Sequence, residues 1–319
     1  RRASTTGGSL KMSFKGYSLC SSVYLLRIIR RARPVVKRQI LCYNSLVLFY
    51  SNAKKEPPMP IADIHVHIFP HKLAEKASAS IGSFYGTHTA HLASVETLLP
   101  LEQAAGIDCC AVSSSATSPH QVQHINDFIA SEVRVHPNLI GLGTLFPAME
   151  GWEAELERIA ALGLKGLKIH PDFQQVPIDL PEAIPMYRAV AKAGLPVLFH
   201  MGDAHLDYSS PQRLTNLIRQ VPDLVAIAAH FGGWQCWEKS YAHVQPENVY
   251  YDTSSSLRFL GRDRALEYLD RLGAHRFLYG TDFPMWTPAE ELQRFRDLGL
   301  PPDLENQILF QNFAKLFGI

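Results

Sequence analysis

The most informative part of this sequence is the stretch Met59-Pro-Ile-Ala-Asp-Ile-His-Val-His-Ile-Phe-Pro70. It is an apolar, strand-like run that stops at a proline. Side chains two positions apart on a strand point to the same side. The stretch therefore predicts that His65 and His67 present two imidazoles together, with Asp63 on the same face. Two neighbouring imidazoles are a suitable start for a divalent metal site, although a His-x-His pair alone is a weak signal.

Polar side chains also follow three later apolar runs, each at the point where a buried strand would end. The runs are Val197-Leu-Phe-His200, Val225-Ala-Ile-Ala-Ala-His230 and Phe277-Leu-Tyr-Gly-Thr-Asp282. In a parallel barrel, the C-terminal ends of the strands form the face on which active sites are built. One histidine in such a place is commonly a core or capping residue. Donor groups at the ends of four strands favour a shared site instead.

Eight strand-like runs alternate with helix-like stretches from Met59 to the C terminus. Most runs are short and continuously apolar, as is typical of strands buried on both faces. Helices are predicted at about 95–105, 180–194 and 210–220, and Gly163, Gly194 and Gly273 stand where helices would end. The alternation predicts a (β/α)8 TIM barrel over 59–319, and its 261 residues suit that fold. The predicted strands are 61–67, 109–115, 139–146, 166–171, 196–202, 225–231, 249–255 and 277–282.

A doubly wound sheet is the competing fold. It needs a glycine-rich phosphate loop after its first strand. This chain has His-Ile-Phe-Pro at that place, which argues against such a sheet.

The connection from Ile68 to Gly106 is long enough to hold more than one helix. Long loops on the catalytic face of a barrel tend to cover the pocket. Its aromatic and histidine residues are therefore candidate substrate neighbours, and a solvated excursion without a role is the alternative. The candidates are Phe69, Tyr85, His88 and His91.

The first 58 residues have a different composition from the rest. Residues 1–55 contain twelve Lys or Arg and no Asp or Glu, whereas the chain as a whole carries a net charge of +1. Such a segment would suit an organelle transit peptide, and nucleic-acid or membrane-surface contact is a second interpretation. We expect instead a disordered or non-native basic N-terminal extension, with the barrel beginning at Met59.

Composition places modest limits on the rest of the chain. An apolar content of 46% and a charged content of 19% are typical of a soluble globular domain. The five cysteines suggest no disulfide framework, which fits a reducing compartment, and a cytoplasmic location is expected. Import into an organelle is the alternative if the basic extension is native. The cysteines are Cys20, Cys42, Cys109, Cys110 and Cys236.

Taken together, the motifs resemble those of the amidohydrolase superfamily. The resemblance rests on His65-Val-His67 in the first strand, on His200 and His230 after the fifth and sixth, and on Asp282 after the eighth. It is closest to the amidohydrolase-related branch, which includes aminocarboxymuconate-semialdehyde decarboxylase, and it covers essentially all of 59–319. The motifs are specific for the superfamily but weak for the reaction, because this branch contains both hydrolases and non-oxidative decarboxylases.

The resemblance implies that His65, His67, His200 and Asp282 hold one divalent ion, with water completing the coordination. Imidazole and carboxylate suit zinc, and manganese and iron are alternatives. The ion would lower the pKa of its bound water towards about 7 and polarise a substrate carbonyl or carboxylate. His230 would act as a general acid and base or orient the water, and Asp282 could also accept the water's proton. His230 and Asp282 are thus the predicted catalytic residues.

Lys168 supports an alternative with two metal ions. Related two-metal barrels use a carboxylated lysine at the end of the fourth strand as a bridging ligand, and His200 and His230 would then both bind metal. Without that role, Lys168 would be an interior cation paired with a carboxylate such as Asp63. His170, on the same strand face as Lys168, is expected to line the pocket.

The predicted substrate-binding residues are Phe69, His170 and Arg258. Arg258 follows the seventh strand and could bind a substrate carboxylate through its bidentate fork. A surface arginine on the following helix, without any such role, is the alternative.

Two reactions remain open from the sequence. The main expectation is a hydrolase in which metal-activated water attacks a C–N or C–O bond of a small polar substrate. The alternative is a carboxy-lyase that removes CO2 from an unsaturated or aromatic acid without an organic cofactor. The complete donor set disfavours a metal-binding barrel without turnover. A small molecule is the expected partner, without nucleic acid or membrane, and the family resemblance favours a homodimer.

Overall fold

Eight parallel strands pair in sequence order across residues 59–319, the part of the chain that this computed structural model describes. All eight predicted strands are present. All but the first end earlier than predicted. The backbone stops pairing with the neighbouring strands before the last residues of each predicted run. The strands are β1 (Ala62–His67), β2 (Cys109–Ser113), β3 (Leu139–Gly143), β4 (Gly166–Ile169), β5 (Val197–Phe199), β6 (Ala226–Ala228), β7 (Val249–Asp252) and β8 (Phe277–Leu278).

The segment that follows β8 returns to β1 and brings the two edges of the sheet together. The backbone N–H of Ile64 donates to the carbonyl of Tyr279 over 3.0 Å, and that of His67 donates to Phe283 over 2.8 Å. Val66 and Phe283 also form a parallel bridge. These bonds use the edge groups that an open sheet would leave unpaired, and they confirm the predicted TIM barrel.

Twelve helices lie in the described region, among short 3-10 turns and one π-helical segment, and they surround the strands. Two of them lie between β1 and β2, as the length of that connection predicted. Gly163, Gly194 and Gly273 follow helices with φ values of 79°, 68° and 89°, which confirms their place at helix ends. The helices are α1 (His71–Tyr85), α2 (Val95–Ala105), α3 (Val122–Val135), α4 (Trp152–Ala161), α5 (Pro171–Gln174), α6 (Ile184–Lys192), α7 (Pro211–Gln220), α8 (Trp237–Ala242), α9 (Leu257–Leu272), α10 (Pro288–Arg296), α11 (Pro302–Asn306) and α12 (Asn312–Phe317).

The apolar core has two parts. The larger part fills the space between the strands and the surrounding helices. A smaller cluster fills the barrel interior and includes Ile64 from β1, Leu142 from β3, Leu198 from β5 and Phe313 from α12. Because the interior is packed with side chains, the barrel has no room for a substrate along its axis, and polar groups gather at its C-terminal end.

A β-bulge in β1 corrects one prediction about its faces. Asp63 pairs with Cys110 and Val66 with Val112, so β1 has one residue more than β2 over this span. The extra residue shifts the alternation of side chains. Ile64 faces the interior, and His65 faces it as well. The Asp63 side chain therefore does not lie on the same face of β1 as the His65 and His67 rings, contrary to the prediction. Its carboxylate accepts hydrogen bonds from the backbone N–H groups of His65 and Thr281 over 2.9 and 3.0 Å.

The predictions for residues 1–58 lie outside the described residues. Within residues 59–319, no helix combines the length and the hydropathy needed to cross a membrane. The three cysteines of this region, Cys109, Cys110 and Cys236, are free thiols.

Candidate metal centre

The predicted donor residues meet at the C-terminal end of the barrel. His65 and His67 belong to β1, His200 directly follows β5, and His230 lies two residues after β6. Asp282 lies four residues after β8 and has a φ of 61°, in the left-handed region. Its backbone N–H donates to the carbonyl of His65 over 2.8 Å, which fixes the loop beside β1.

The Asp282 carboxylate lies between the two histidines of β1. Its Oδ1 atom is 3.5 Å from Nε2 of His65 and 3.4 Å from Nε2 of His67. These distances are longer than ordinary hydrogen bonds. Two ligands of a tetrahedral zinc ion, each about 2.1 Å from the metal, are about 3.4 Å apart. Oδ1 of Asp282 therefore lies at the ligand-to-ligand spacing from each of the two histidines.

Asp252 orients the His65 ring. Its Oδ2 atom is 2.8 Å from Nδ1 of His65, and both side chains are buried. Because the carboxylate accepts, His65 carries its proton on Nδ1, and its unprotonated Nε2 atom is the one near Asp282. Such a carboxylate behind a histidine is typical of metal sites. Asp252 is not among the site residues predicted from the sequence, although it stands at the end of a buried strand like the predicted donors.

His200 and His230 face each other. The Nδ1 atom of His200 lies 3.1 Å from Nε2 of His230, and Nε2 of His200 lies 2.9 Å from the carbonyl oxygen of Gly202. A carbonyl only accepts, so the proton of His200 sits on Nε2 and its Nδ1 atom presents a lone pair. Nδ1 of His230 is 3.2 Å from the carbonyl oxygen of Ser254.

Two sets of three possible ligands lie close together, and His67 belongs to neither set. His65, His230 and Asp282 offer ligand atoms that lie within 4.8 Å of one another. His170, Asp172 and His200 form a second such group. The structure therefore places His230 nearer to His65 and Asp282 than the single-ion hypothesis required.

Burial keeps the imidazoles neutral, the form in which they bind metal. It lowers the pKa of His65, and the charge of Lys168 lowers it further. Burial also lowers the pKa values of His67 and His200. For Asp282, burial opposes ionisation, but the neighbouring imidazoles of His65 and His67 favour the ionised form more strongly, so its pKa lies below the usual value. An ionised carboxylate among neutral imidazoles suits a divalent cation.

Lys168 is buried in the barrel interior, opposite Leu198 in the ladder between β4 and β5. Its Nζ atom lies 2.7 Å from Nε2 of His65, so it contacts this histidine, and the predicted pairing with Asp63 is not observed. Burial lowers the pKa of Lys168 to about 8. The amine is thus close to the atom of His65 that would bind a metal.

A second pair of polar residues holds the other oxygen of Asp282. The Ser255 hydroxyl donates to Oδ2 of Asp282 over 2.5 Å, and Nε1–H of Trp286 donates to the Ser255 hydroxyl over 2.7 Å. The chain from Trp286 to Asp282 leaves Oδ1 free to face the histidines. Sequence reasoning missed both residues, because serine and tryptophan in loops carry no spacing signal.

A cavity of about 860 Å³ opens on the site. His67, His200 and Asp282 form its polar end, and the predicted residues Phe69 and His170 line it, together with Tyr85. Its other walls include Leu73, Ile81, Phe84, Ile125, Phe128, Phe173 and Met285.

Three further candidates do not reach this cavity. His88 is exposed. His91 stacks on Phe283 and hydrogen-bonds Thr287. Arg258 is an exposed residue of α9, and its guanidinium lies 5.2 Å from the centre of the Trp286 ring.

Comparisons with known proteins agree with this architecture. A search of curated proteins found no match. The structure is similar to 5-carboxyvanillate decarboxylase from Sphingomonas paucimobilis, with a TM-score of 0.64, 17% identity, and coverage of 82% of this chain and 99% of that one. It is also similar to dihydroxybenzoic acid decarboxylase from Polaromonas sp. JS666, a structure with bound manganese and the inhibitor 2-nitroresorcinol (TM-score 0.65, 16% identity, 81% and 97% coverage).

A probable hydrolase has a similar fold. The structure is similar to a probable 2-pyrone-4,6-dicarboxylic acid hydrolase from Acinetobacter baumannii, with a TM-score of 0.61, 17% identity, and coverage of 82% of this chain and 100% of that one. The sequence profile of the family described as Amidohydrolase matches residues 62–319. This match agrees with the predicted enzyme class, a hydrolase or carboxy-lyase. The chain belongs to the amidohydrolase family.

Proposed function

We propose that the protein is a metal-dependent decarboxylase that removes CO2, without oxidation, from a small aromatic or unsaturated carboxylic acid. The cavity carries this proposal, because it joins a His/Asp donor cluster to walls of mainly apolar and aromatic side chains. Two of the similar structures named above are decarboxylases of aromatic acids. This proposal reverses the order of the sequence analysis, in which a hydrolase came first.

The cavity suits a flat acid with one charged end. Phe69 and Phe173 contribute aromatic wall, and an aromatic ring gains both burial and ring–ring contacts on such surfaces. The carboxylate of the substrate would face the polar end at His67 and Asp282. Ionised Asp282 would repel that carboxylate unless a cation lay between them, so the arrangement requires a bound metal.

We assign His65, His67, His200 and Asp282 as ligands of one divalent ion. When bound, the ion would supply positive charge that holds the substrate carboxylate and stabilises negative charge formed in the reaction. Zinc is our expectation from the donor types, and manganese is the alternative, since it is bound in a similar structure. With His230 and Lys168 as further ligands, a two-ion centre is the competing arrangement.

Decarboxylation replaces a C–C bond with a C–H bond. The electron pair of the bond that releases CO2 stays on the substrate carbon, which takes up one proton. Asp282 lines the cavity and can pass a proton at its Oδ1 atom. His230 lies behind it, with a ring nitrogen within 4.8 Å of the Asp282 carboxylate, and would hold the proton between turnovers.

Hydrolysis is the second candidate. The same two residues, Asp282 and His230, could take a proton from an attacking water, and one similar structure is a probable hydrolase. In both reactions the partner is a small molecule, without nucleic acid or membrane. Phe69 and His170 remain the proposed substrate contacts, whereas the position of Arg258 gives its proposed role no support. A homodimer remains a prediction.

The deciding experiment uses the full chain, supplied with zinc or with manganese. Release of CO2 from dihydroxybenzoate-type acids, without ring opening of lactones or cleavage of amides, would support the proposal. Lactone or amide hydrolysis without CO2 release would overturn it. The His230→Asn variant should keep its metal and lose at least about 100-fold in turnover, as expected for a lost proton-transfer group. Unchanged turnover in that variant would remove His230 from the mechanism.

A further inference from the structure

We propose that the Tyr85 hydroxyl donates a hydrogen bond to an oxygen substituent of the substrate beside its carboxylate, and so selects for acids that carry one. The inference rests on the proposed function and adds a specificity-determining residue to it. From the sequence alone, Tyr85 is only a candidate neighbour of the substrate.

Tyr85 is the last residue of α1 and reaches into the polar end of the cavity. Its hydroxyl oxygen lies 2.9 Å from Nε2 of His170 and 3.5 Å from Nε2 of His200. Since His200 is a proposed metal ligand, the hydroxyl is close to where the reacting end of a substrate would lie.

The protonation of His170 follows from its own backbone contact. The N–H of Phe173 donates to Nδ1 of His170 over 3.2 Å, as part of the cap of α5. Nδ1 is therefore the unprotonated nitrogen, and the neutral ring carries its proton on Nε2. Nε2–H of His170 donates to Tyr85, whose oxygen is the acceptor of this bond.

His200 cannot take the hydroxyl proton of Tyr85 either. Its Nε2 atom already donates to the carbonyl of Gly202, as argued above. Among residues 59–319, the two histidines are the hydrogen-bond neighbours of this hydroxyl, and in both the nearby nitrogen carries a proton and so cannot accept one. The hydroxyl proton of Tyr85 is thus left without a protein acceptor and is available to a ligand oxygen.

The direction of this donor is held by packing. The Tyr85 ring lies 5.0 Å from that of Phe84 and 6.0 Å from that of Phe173, and Phe173 stacks at 3.6 Å on the ring of His170. His170 in turn stacks at 3.9 Å on His200. A hydroxyl whose position is fixed by packing discriminates between ligands more strongly than a mobile one, because less rotational freedom is lost when the ligand binds.

The test compares two acids that differ by one oxygen, 2-hydroxybenzoate and benzoate. Their equilibrium binding is measured by calorimetry on the metal-supplied native protein and on its Tyr85→Phe variant. The variant should bind 2-hydroxybenzoate about tenfold more weakly, as expected for one lost hydrogen bond, and benzoate unchanged. Tyr187→Phe is the matched control, because Tyr187 is buried against Phe199, away from the cavity.

The outcomes separate this inference from the proposed function. Equal weakening for both acids in Tyr85→Phe, or weakening for neither, would overturn the role of Tyr85 while leaving an acid-binding site in place. If the native protein bound neither acid, the inference and the proposed function would fail together. Loss of the oxygen preference in Tyr187→Phe would also contradict the inference, because it would show that the preference does not depend on contact with the substrate.

Discussion

Asp252 and His65 form a buried pair in which Oδ2 of the aspartate lies 2.8 Å from Nδ1 of the histidine. The same carboxylate accepts a hydrogen bond at Oδ1 from the backbone N–H of His230 over 2.9 Å. One side chain from the end of β7 therefore orients groups on β1 and after β6. We regard this link as the main support of the proposed metal ligands.

Replacing Asp252 with asparagine should weaken metal binding by about 10- to 100-fold, the usual effect of losing a carboxylate behind a ligating histidine. The amide can still fill the space but does not favour the His65 tautomer that points a lone pair inward. Competition with a chelator measures the affinity. Asp263→Asn, at a residue with a 96% exposed side chain, is the matched control. Equal affinities of native protein and Asp252→Asn would refute the orienting role.

Ser255→Ala should weaken metal binding by a factor of about 10, within the range for outer contacts of a ligand. The change removes the hydroxyl that holds Oδ2 of Asp282 and directs Oδ1 to the histidines. Trp286→Phe keeps the Ser255 hydroxyl and removes only the N–H behind it, so its effect should be smaller. The chelator assay ranks the two variants. A larger loss in Trp286→Phe than in Ser255→Ala would contradict the proposed chain.

Asp172→Asn should make stability less dependent on pH. Burial raises the pKa of Asp172 from 3.8 to about 6 in the folded protein. Between these values the folded state holds a proton that the unfolded state has released, so this group lowers the unfolding free energy as pH rises towards 6. Asparagine does not ionise, so the variant lacks this decrease in the free energy of unfolding.

The variant should therefore gain about 2 kcal/mol over the native protein between pH 4.5 and 7. Urea unfolding of metal-free samples at both pH values gives the difference. A stability difference that is constant with pH would show that the Asp172 carboxylate is not shifted.

Lys168→Met should leave one bound metal ion per chain with undiminished affinity. In the one-ion arrangement, the Lys168 amine only contacts Nε2 of His65, and its charge opposes a nearby cation. Lys165→Met, at an exposed residue three positions away, is the control. If the native protein bound two ions and Lys168→Met lost one or both, the lysine would be a bridging ligand and the one-ion assignment would be wrong.

Sequence alone predicted the fold well, because the fold depends on repeated signals. Short apolar runs, glycines such as Gly194 at helix ends and the length of the chain all point to the barrel. The same reasoning predicts His65, His67, His200 and Asp282 as metal ligands, since each stands at or near the end of a strand-like run, and that assignment stays a prediction. The face of Asp63 was predicted wrongly, because nothing in the sequence reveals the bulge that shifts the alternation in β1.

The outer contacts of the site could not be predicted in the same way. Ser255 and Trp286 lie 31 positions apart and meet only through the loops that follow β7 and β8. Arg258 had a suitable charge and a suitable place after β7, but the turn of α9 directs it away from the cavity towards Trp286. Such side-chain directions depend on loop geometry, which no periodic pattern encodes.

Metal analysis of the purified full chain after dialysis tests the central claim most directly. The native protein should retain about one divalent ion per chain, and Asp282→Ala and His67→Ala should each retain less than about a tenth of that amount. Folding of each variant is checked by circular dichroism. A native protein that binds no divalent metal, or variants that keep the full amount, would contradict the proposed centre.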